Sequence, residues 1–258
     1  MRGILFDLDG VLYNGEEPIA GAAEAVEWVR GHQIPHLFIT NTTSRSADVI
    51  ARKLSGFGIP ASAEEILTPP KAAVAWLAER PRGPLALFVP PKTRGDFAGF
   101  EVLAEHRETG ADYVIVGDLG ERWDFHALNR AFRLLHHNPC ATLIALGMTR
   151  YWQAPDGVRL DAAPFVAALE HATGRRAIVL GKPSREFFEA AVGRLGLAPA
   201  DALMIGDDIR TDIAGAQAAG LKAALVRTGK FRASDLEESI RPDMVLDSIA
   251  DLPDWWSL

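Results

Sequence analysis

Asp7 and Asp9 stand two residues apart at the end of the apolar run Ile4-Leu5-Phe6, and Gly10 follows them. Three successive apolar residues predict a strand buried on both faces, as parallel sheets require. Ligands of open α/β sheets bind outside the carboxyl ends of the strands, so both carboxylates are expected to face a cleft. Two like charges about 4 Å apart cost roughly 4 kcal/mol at an effective dielectric of about 20, unless a cation lies between them or one carries a proton. Asp also caps helices, but Gly10-Val11-Leu12-Tyr13 does not continue as one.

Three further strand ends carry polar chemistry. His36-Leu37-Phe38-Ile39 is a second predicted strand, and Thr40-Asn41-Thr42-Thr43-Ser44 follows it. Hydroxyls, an amide and free N–H groups at the start of a helix predicted over 45–54 make an anion cradle, and the same groups serve as caps. Ala177–Leu180 is a strand ending in Gly181-Lys182-Pro183-Ser184, where Pro183 is expected to start a helix and Lys182 to place a cation at the same edge. This is no Walker loop: six residues separate Gly174 from Gly181 where that loop has four, and Pro183 replaces the metal-binding hydroxyl. Ala202–Ile205 ends in Gly206-Asp207-Asp208-Ile209-Arg210-Thr211-Asp212. Asp208 and Asp212 fall at i, i+4 spacing and suit a helix N-terminus. That explanation absorbs one or two acids more easily than three. Together the four strand ends offer hard oxygens for a small divalent cation, Mg2+ first, and a lysine with N–H groups for a phosphate.

Phe6-Asp7-Leu8-Asp9-Gly10-Val11, Thr40-Asn41, Lys182 within Gly181-Lys182-Pro183-Ser184, and Gly206-Asp207-Asp208 with Asp212 resemble, in order and spacing, the four motifs of the haloacid dehalogenase superfamily of phosphatases. The stretches Leu146–Tyr151, Gly181–Ser184 with Phe187-Phe188, and Val226–Arg232 resemble one subgroup of it. The resemblance implies a Rossmann-like three-layer α/β/α core with a parallel sheet and an inserted α/β cap domain of the family's second type. It implies an Mg2+-dependent phosphatase acting on small phosphorylated compounds through an aspartyl-phosphate. Asp7 would be the nucleophile, and Asp9 would protonate the leaving group and then activate water. Thr40, Asn41 and Lys182 would hold the phosphoryl oxygens. Asp7, Asp207 and the backbone carbonyl of Asp9 would hold the metal, with Asp208 and Asp212 orienting its waters or Lys182. The resemblance also allows a homodimer formed through the cap.

Those residues need a scaffold, which hydrophobic patterning supplies. Helices are predicted over 19–32, 45–54, 71–80, 125–136 and 164–171. Further strands are predicted at 65–67, 85–89, 113–116, 142–146, 221–226 and 244–246. Pro81-Arg82-Gly83-Pro84 breaks the chain. The expected organisation is therefore a core of 1–80 and 177–258 with the cap over 81–176. Gly117-Asp118 imitates an active-site turn, but without companion acids Asp118 reads as a cap or rim residue. Gly56-Phe57-Gly58 follows a helix and reads as a C-cap and turn. His136, His137 and Cys140 give too few ligands for zinc. Thr149-Arg150-Tyr151-Trp152 follows a strand, and Arg150, Tyr151 and Trp152 are candidates either for selecting the leaving group or for strand-edge packing.

Composition bounds the class. The chain has 258 residues, a single cysteine, and 34 acidic against 27 basic side chains, for a net charge of −7. The acidic balance argues against a nucleic-acid partner. No run of about 18 apolar residues suggests a membrane span, and Asp7 and Asp9 interrupt the apolar run nearest the N-terminus, so no signal peptide is expected. One cysteine suggests a reducing, cytoplasmic location. Two rivals stay open. A receiver-type phospho-acceptor domain also combines Asp, Thr and Lys, but it is shorter and lacks an acid at the position of Asp9. A metal-independent dehalogenase would leave the acids of 207–212 without a compensating cation.

Overall fold

Gly3–Phe6 lies inside a sheet of six parallel strands ordered Met244–Leu246, Lys222–Val226, Ala202–Gly206, Gly3–Phe6, His36–Ile39 and Ile66–Leu67. The computed structural model describes residues 1–154 and 156–256. Ile4, Phe6, Phe38, Ile66, Leu203, Ile205, Ala224 and Val226 enter one hydrophobic cluster with residues of the helices Ala22–Gly31, Ala47–Gly56 and Leu252–Trp256. Their strand neighbours Leu5, Leu37, Ile39, Met204 and Leu225 alternate away from that cluster and are buried too. On that side Arg185–Leu195 buries Phe187, Phe188, Ala191 and Val192 and packs against His36–Ile39. Covering on both faces explains why the strands read as continuous apolar runs. Each fully buried Leu, Ile or Phe contributes about 1.5–3 kcal/mol.

The chain divides into two compact units. The first contains Met1–Thr40, Ala47–Leu67 and the chain from Lys182 onward, and the second contains Asn41–Ser46 and Thr68–Gly181. In the second unit four parallel strands are ordered Ile178–Val179, Thr142–Ala145, Tyr113–Val116 and Leu85–Phe88. Phe125–His137 and Ala162–Thr173 pack together against this sheet, burying Ala131, Leu134, Leu135, Val166 and Leu169. Both sheets are parallel and flanked by helices, the α/β class expected.

Element ends differ from expectation for identifiable reasons. The first helix starts at Ala22, because Gly21 takes φ 80 and stops helical continuation from Ile19. The helix expected over 71–80 spans Pro69–Ala78, with Thr68 as cap and both prolines in its first turn, where no backbone donor is needed. The helix after Lys182 begins at Arg185; Ser184 caps it by accepting from Phe187 N at 3.3 Å, so Pro183 lies outside it. Tyr151 and Trp152, expected to follow the strand of 142–146, begin a strand of their own, Tyr151–Ala154, which pairs antiparallel with Gly157–Leu160. Tyr151, Trp152, Val158 and Leu160 are all exposed, so these apolar side chains do not mark a core-facing stripe of period two. Among the described residues no helix is long and apolar enough to cross a membrane.

Candidate active site

The chain leaves Gly3–Phe6 towards one edge of its sheet, through His36–Ile39, and returns much later on the other side as Ala202–Gly206. Such a reversal opens a crevice at the carboxyl ends of the two strands that flank it. Phe6 lies beside Ile205, and Asp7 N donates to Ile205 O at 2.9 Å, so Asp7 and Asp207 emerge side by side. Both are buried, at 6% and 1% exposure, as are Lys182 at 4% and Asp212 at 1%.

Lys182 Nζ lies 2.6 Å from Asp7 Oδ1 and 2.7 Å from Asp212 Oδ1. Carboxylate oxygens of Asp7, Asp207 and Asp212 all fall within 4.8 Å of one another. Burial opposes the charge on Lys182, but Asp212 and Asp7 more than offset it and hold the ammonium above its ordinary pKa. One lysine cannot balance three acids. Burial, then the charge of Asp7, pushes Asp207 up to about 7. Burial and Asp7 push Asp212 to about 6 against the opposing pull of Lys182. Asp207 Oδ2 accepts from Lys230 N at 2.7 Å, whereas its buried Oδ1 has no hydrogen-bond partner. A buried oxygen without a donor, inside a group of hard anionic oxygens with excess negative charge, fits a small divalent cation such as Mg2+.

Two glycines make room for this carboxylate. A Cβ on Gly10, at φ +90, would lie 1.9 Å from Asp207 Oδ2, and one on Gly229, at φ +63, 2.2 Å from the same atom. Asp208 heads the following wide-turned helix: its side chain accepts from Arg210 N and Thr211 N, and Ile213 N donates to its carbonyl five residues back. Asp208 N in turn donates to Asp212 Oδ2 at 3.2 Å, which aims Asp212 at Lys182. A π-type turn of this kind is common at functional sites.

The structure thus brings together Asp7, Lys182, Asp207 and Asp212. Asp9 is exposed, and its Oδ1 accepts from Gly15 N at 3.2 Å. Asp212, expected as a supporting residue, supplies the third carboxylate of the group. Thr40 is buried at the end of His36–Ile39, its N–H donating to Leu67 O. Asn41 belongs to the second unit, as do the exposed Arg150, Tyr151 and Trp152. Sequence reasoning named Val226–Arg232 only for its resemblance to the subgroup and gave Thr228-Gly229-Lys230 no place at the site. The available signal was a polar run after Lys222–Val226, a strand neighbouring Ala202–Gly206, so its carboxyl end opens on the same edge.

A family model described as haloacid dehalogenase-like hydrolase matches residues 4–99, and a second, HAD-hydrolase-like model matches 179–252. The haloacid dehalogenase-like hydrolase domain-containing protein 2 of Pongo abelii is 39% identical over 94% of this chain and 90% of its own. The chain belongs to the haloacid dehalogenase-like hydrolase family. Human phospholysine phosphohistidine inorganic pyrophosphate phosphatase is 36% identical over 98% of this chain and 93% of its own. Among solved structures of the family, the p-nitrophenyl phosphatase from Archaeoglobus fulgidus superposes with a TM-score of 0.89 at 27% identity, over 98% of each chain.

Proposed function

We propose that this haloacid dehalogenase-like hydrolase is an Mg2+-dependent phosphatase of small phosphorylated compounds, working through an aspartyl-phosphate on Asp7. One observation carries the proposal: Asp7 is gripped by Lys182 at 2.6 Å beside an acid whose remaining oxygen, Asp207 Oδ1, has no protein partner. A carboxylate held in place by a buried ammonium needs little reorganisation before it attacks phosphorus. An Asp7 oxygen forms a bond to phosphorus while the bond to the leaving oxygen or nitrogen breaks. Asp9, on its exposed loop, gives the leaving atom a proton. In the second step Asp9 takes a proton from water as that water attacks the acyl-phosphate, releasing phosphate and restoring Asp7. Lys182 stays charged throughout and, with Thr40 and Asn41, offsets the phosphoryl oxygens. Asp212 holds Lys182. Asp7, Asp207 and the Asp9 carbonyl would hold the cation, whose bound charge offsets the oxygens of the transferring group.

The human relative is named for phospholysine, phosphohistidine and inorganic pyrophosphate. We extend to this chain the same coarse class, a phosphoryl group on nitrogen or oxygen of a small molecule. The inserted unit acts as the cap, and its exposed Arg150, Tyr151 and Trp152 contribute to choosing the leaving group. Ranking of such substrates by an Arg150→Ala or Trp152→Ala variant tests this last point, and an unchanged ranking would remove it. Release of p-nitrophenol from p-nitrophenyl phosphate with and without EDTA tests the main proposal. Turnover abolished by EDTA and restored by Mg2+ is the expected result. Turnover indifferent to EDTA, or a stable phosphoprotein without turnover, would overturn it.

A further inference from the structure

The turn Thr228-Gly229-Lys230 follows the strand Lys222–Val226 and touches the site at three atoms. Lys230 N donates to Asp207 Oδ2 at 2.7 Å. Thr228 Oγ1 donates to Gly10 O at 2.5 Å, across 218 positions of sequence. Gly229, at φ +63, leaves no space for a side chain: a Cβ there would lie 2.2 Å from Asp207 Oδ2 and 2.4 Å from Gly10 Cα. These contacts join three separate strand ends, those of Gly3–Phe6, Ala202–Gly206 and Lys222–Val226.

We propose that Thr228-Gly229-Lys230 is a positioning clamp for the metal site, which rests on the Mg2+ reading above. A carboxylate on a free side chain rotates and presents either oxygen. Here one oxygen is fixed by a backbone donor, and Gly10 and Gly229 wall the carboxylate in, so Asp207 Oδ1 is the oxygen left to face Asp7 and Asp212. Thr228 sets the distance between this clamp and the turn that carries Asp7 and Asp9, because its hydroxyl grips that turn by the Gly10 carbonyl. Hydrogen bonds to a charged group from a pre-placed backbone donor are among the stronger ones, and an orienting partner of a metal ligand is typically worth 10- to 100-fold in metal affinity. The Lys230 side chain has no part in the clamp. Its ammonium lies 3.8 Å from Asp208 Oδ2 on the exposed side, and the donor that matters is its main-chain N–H.

The test is Mg2+ binding by calorimetry on the substrate-free full chain, with circular dichroism confirming the fold of each variant. Thr228→Val removes the hydroxyl at nearly constant volume and is expected to weaken Mg2+ binding about tenfold. Thr228→Ser keeps the hydroxyl and is expected to recover binding to within about twofold. Gly229→Ala pushes on Asp207 directly and is expected to cost more than Thr228→Val. Lys230→Gln keeps the N–H and removes a competing cation, so it is expected to bind Mg2+ as tightly as the unmodified protein or more tightly. A folded Thr228→Val variant with unchanged Mg2+ affinity, or Thr228→Ser failing as badly as Thr228→Val, would overturn the clamp. Weakened binding in Lys230→Gln equal to that in Gly229→Ala would transfer the role to the side chain and also overturn it. Unmodified protein that bound no Mg2+ would overturn the metal reading itself, and the clamp with it.

Discussion

The two parallel sheets each contain a strand that ends in Gly-Asp, and the two acids have opposite fates. Asp207, after Ala202–Gly206, is buried, is pushed up to about 7, and keeps one oxygen without a partner. Asp118, after Tyr113–Val116, is half-buried and accepts from Gly120 N at 3.0 Å, the ordinary duty of an Asp at a turn. The difference lies in the neighbours. Asp207 meets Asp7 from the adjacent strand, Asp212 from its own helix and Lys182, whereas the acid whose charge Asp118 feels is Asp161, half-buried and capping a helix by accepting from Ala162 N. Elsewhere in the second unit the charged groups pair at the surface, as Glu105 does with Arg94 and Arg122, and such pairs contribute about 0–1 kcal/mol. A strand-Gly-Asp pattern therefore makes a site only where the sheet reverses its order and several strand ends converge.

The comparison can be broken most decisively at the nucleophile. Asp7→Asn is expected to fold and lose at least about 10³-fold in phosphatase turnover, since an amide does not form the acyl-phosphate, while Asp118→Asn stays within about twofold. Steady-state rates on both purified variants check this, and more than a few per cent of residual activity in Asp7→Asn would sink the assignment.

Metal dependence gives the next largest effect. The Mg2+ concentration for half-maximal activity is expected to rise about 30-fold or more in Asp207→Ala and to stay unchanged in Asp118→Ala. Equal shifts in the two would mean that the Gly-Asp turns are equivalent.

The glycines before the two acids sharpen the same contrast. A Cβ on Gly206 would lie 2.3 Å from Asp212 Cβ, close to that residue's backbone, so Gly206→Ala is expected to lower stability in urea unfolding by about 2–3 kcal/mol. On Gly117 the nearest atoms are Leu146 Cδ1 at 3.2 Å and Val89 Cγ1 at 3.3 Å, ends of side chains that can move, and the loss should stay below about 1 kcal/mol.

A pH dependence separates the two acids in a further way. Asp207 and Asp212 titrate near 7 and 6 in the metal-free protein, above the 3.8 of an ordinary Asp. The folded protein then binds more protons than the unfolded chain between these values. Stability in EDTA should therefore fall as pH rises from about 4 to about 7. Asp207→Asn should flatten the profile and Asp118→Asn should not. A profile that rises with pH in EDTA would show that neither acid holds a proton.

Much of this site is legible in the sequence. Ile4-Leu5-Phe6 and Ala202–Ile205 announce buried strands because a strand covered on both faces has to be apolar throughout, and acids that end such strands have one direction to face. Lys182 was legible only as a cation after an apolar run: the strand before it, Ile178–Val179, is half-buried and pairs with Thr142–Ala145 in the second unit's sheet, so its place beside Asp7 was not. Less legible was Asp212, whose i, i+4 spacing from Asp208 suits an exposed helix start equally well. Its burial depends on Asp208 N and Lys182, one adjacent turn and one strand end thirty residues away. The hairpin of Tyr151–Ala154 and Gly157–Leu160 left no signal, since its apolar residues Tyr151, Trp152, Val158 and Leu160 are exposed and do not answer to a core.

Residue types and strand patterning in the sequence by themselves determined that Asp7 and Asp207 would stand at strand ends of a parallel α/β sheet, because hydrophobic burial dictates where a polar residue can first reach solvent. Only the tertiary structure decided which atoms meet. Hydrogen-bond geometry is set by sheet order and register: Phe6 beside Ile205 puts Asp7 next to Asp207, and a turn 218 positions after Gly10 fixes one Asp207 oxygen while the other stays unpartnered. No local pattern encodes those long-range distances, since each depends on where a distant segment of chain returns.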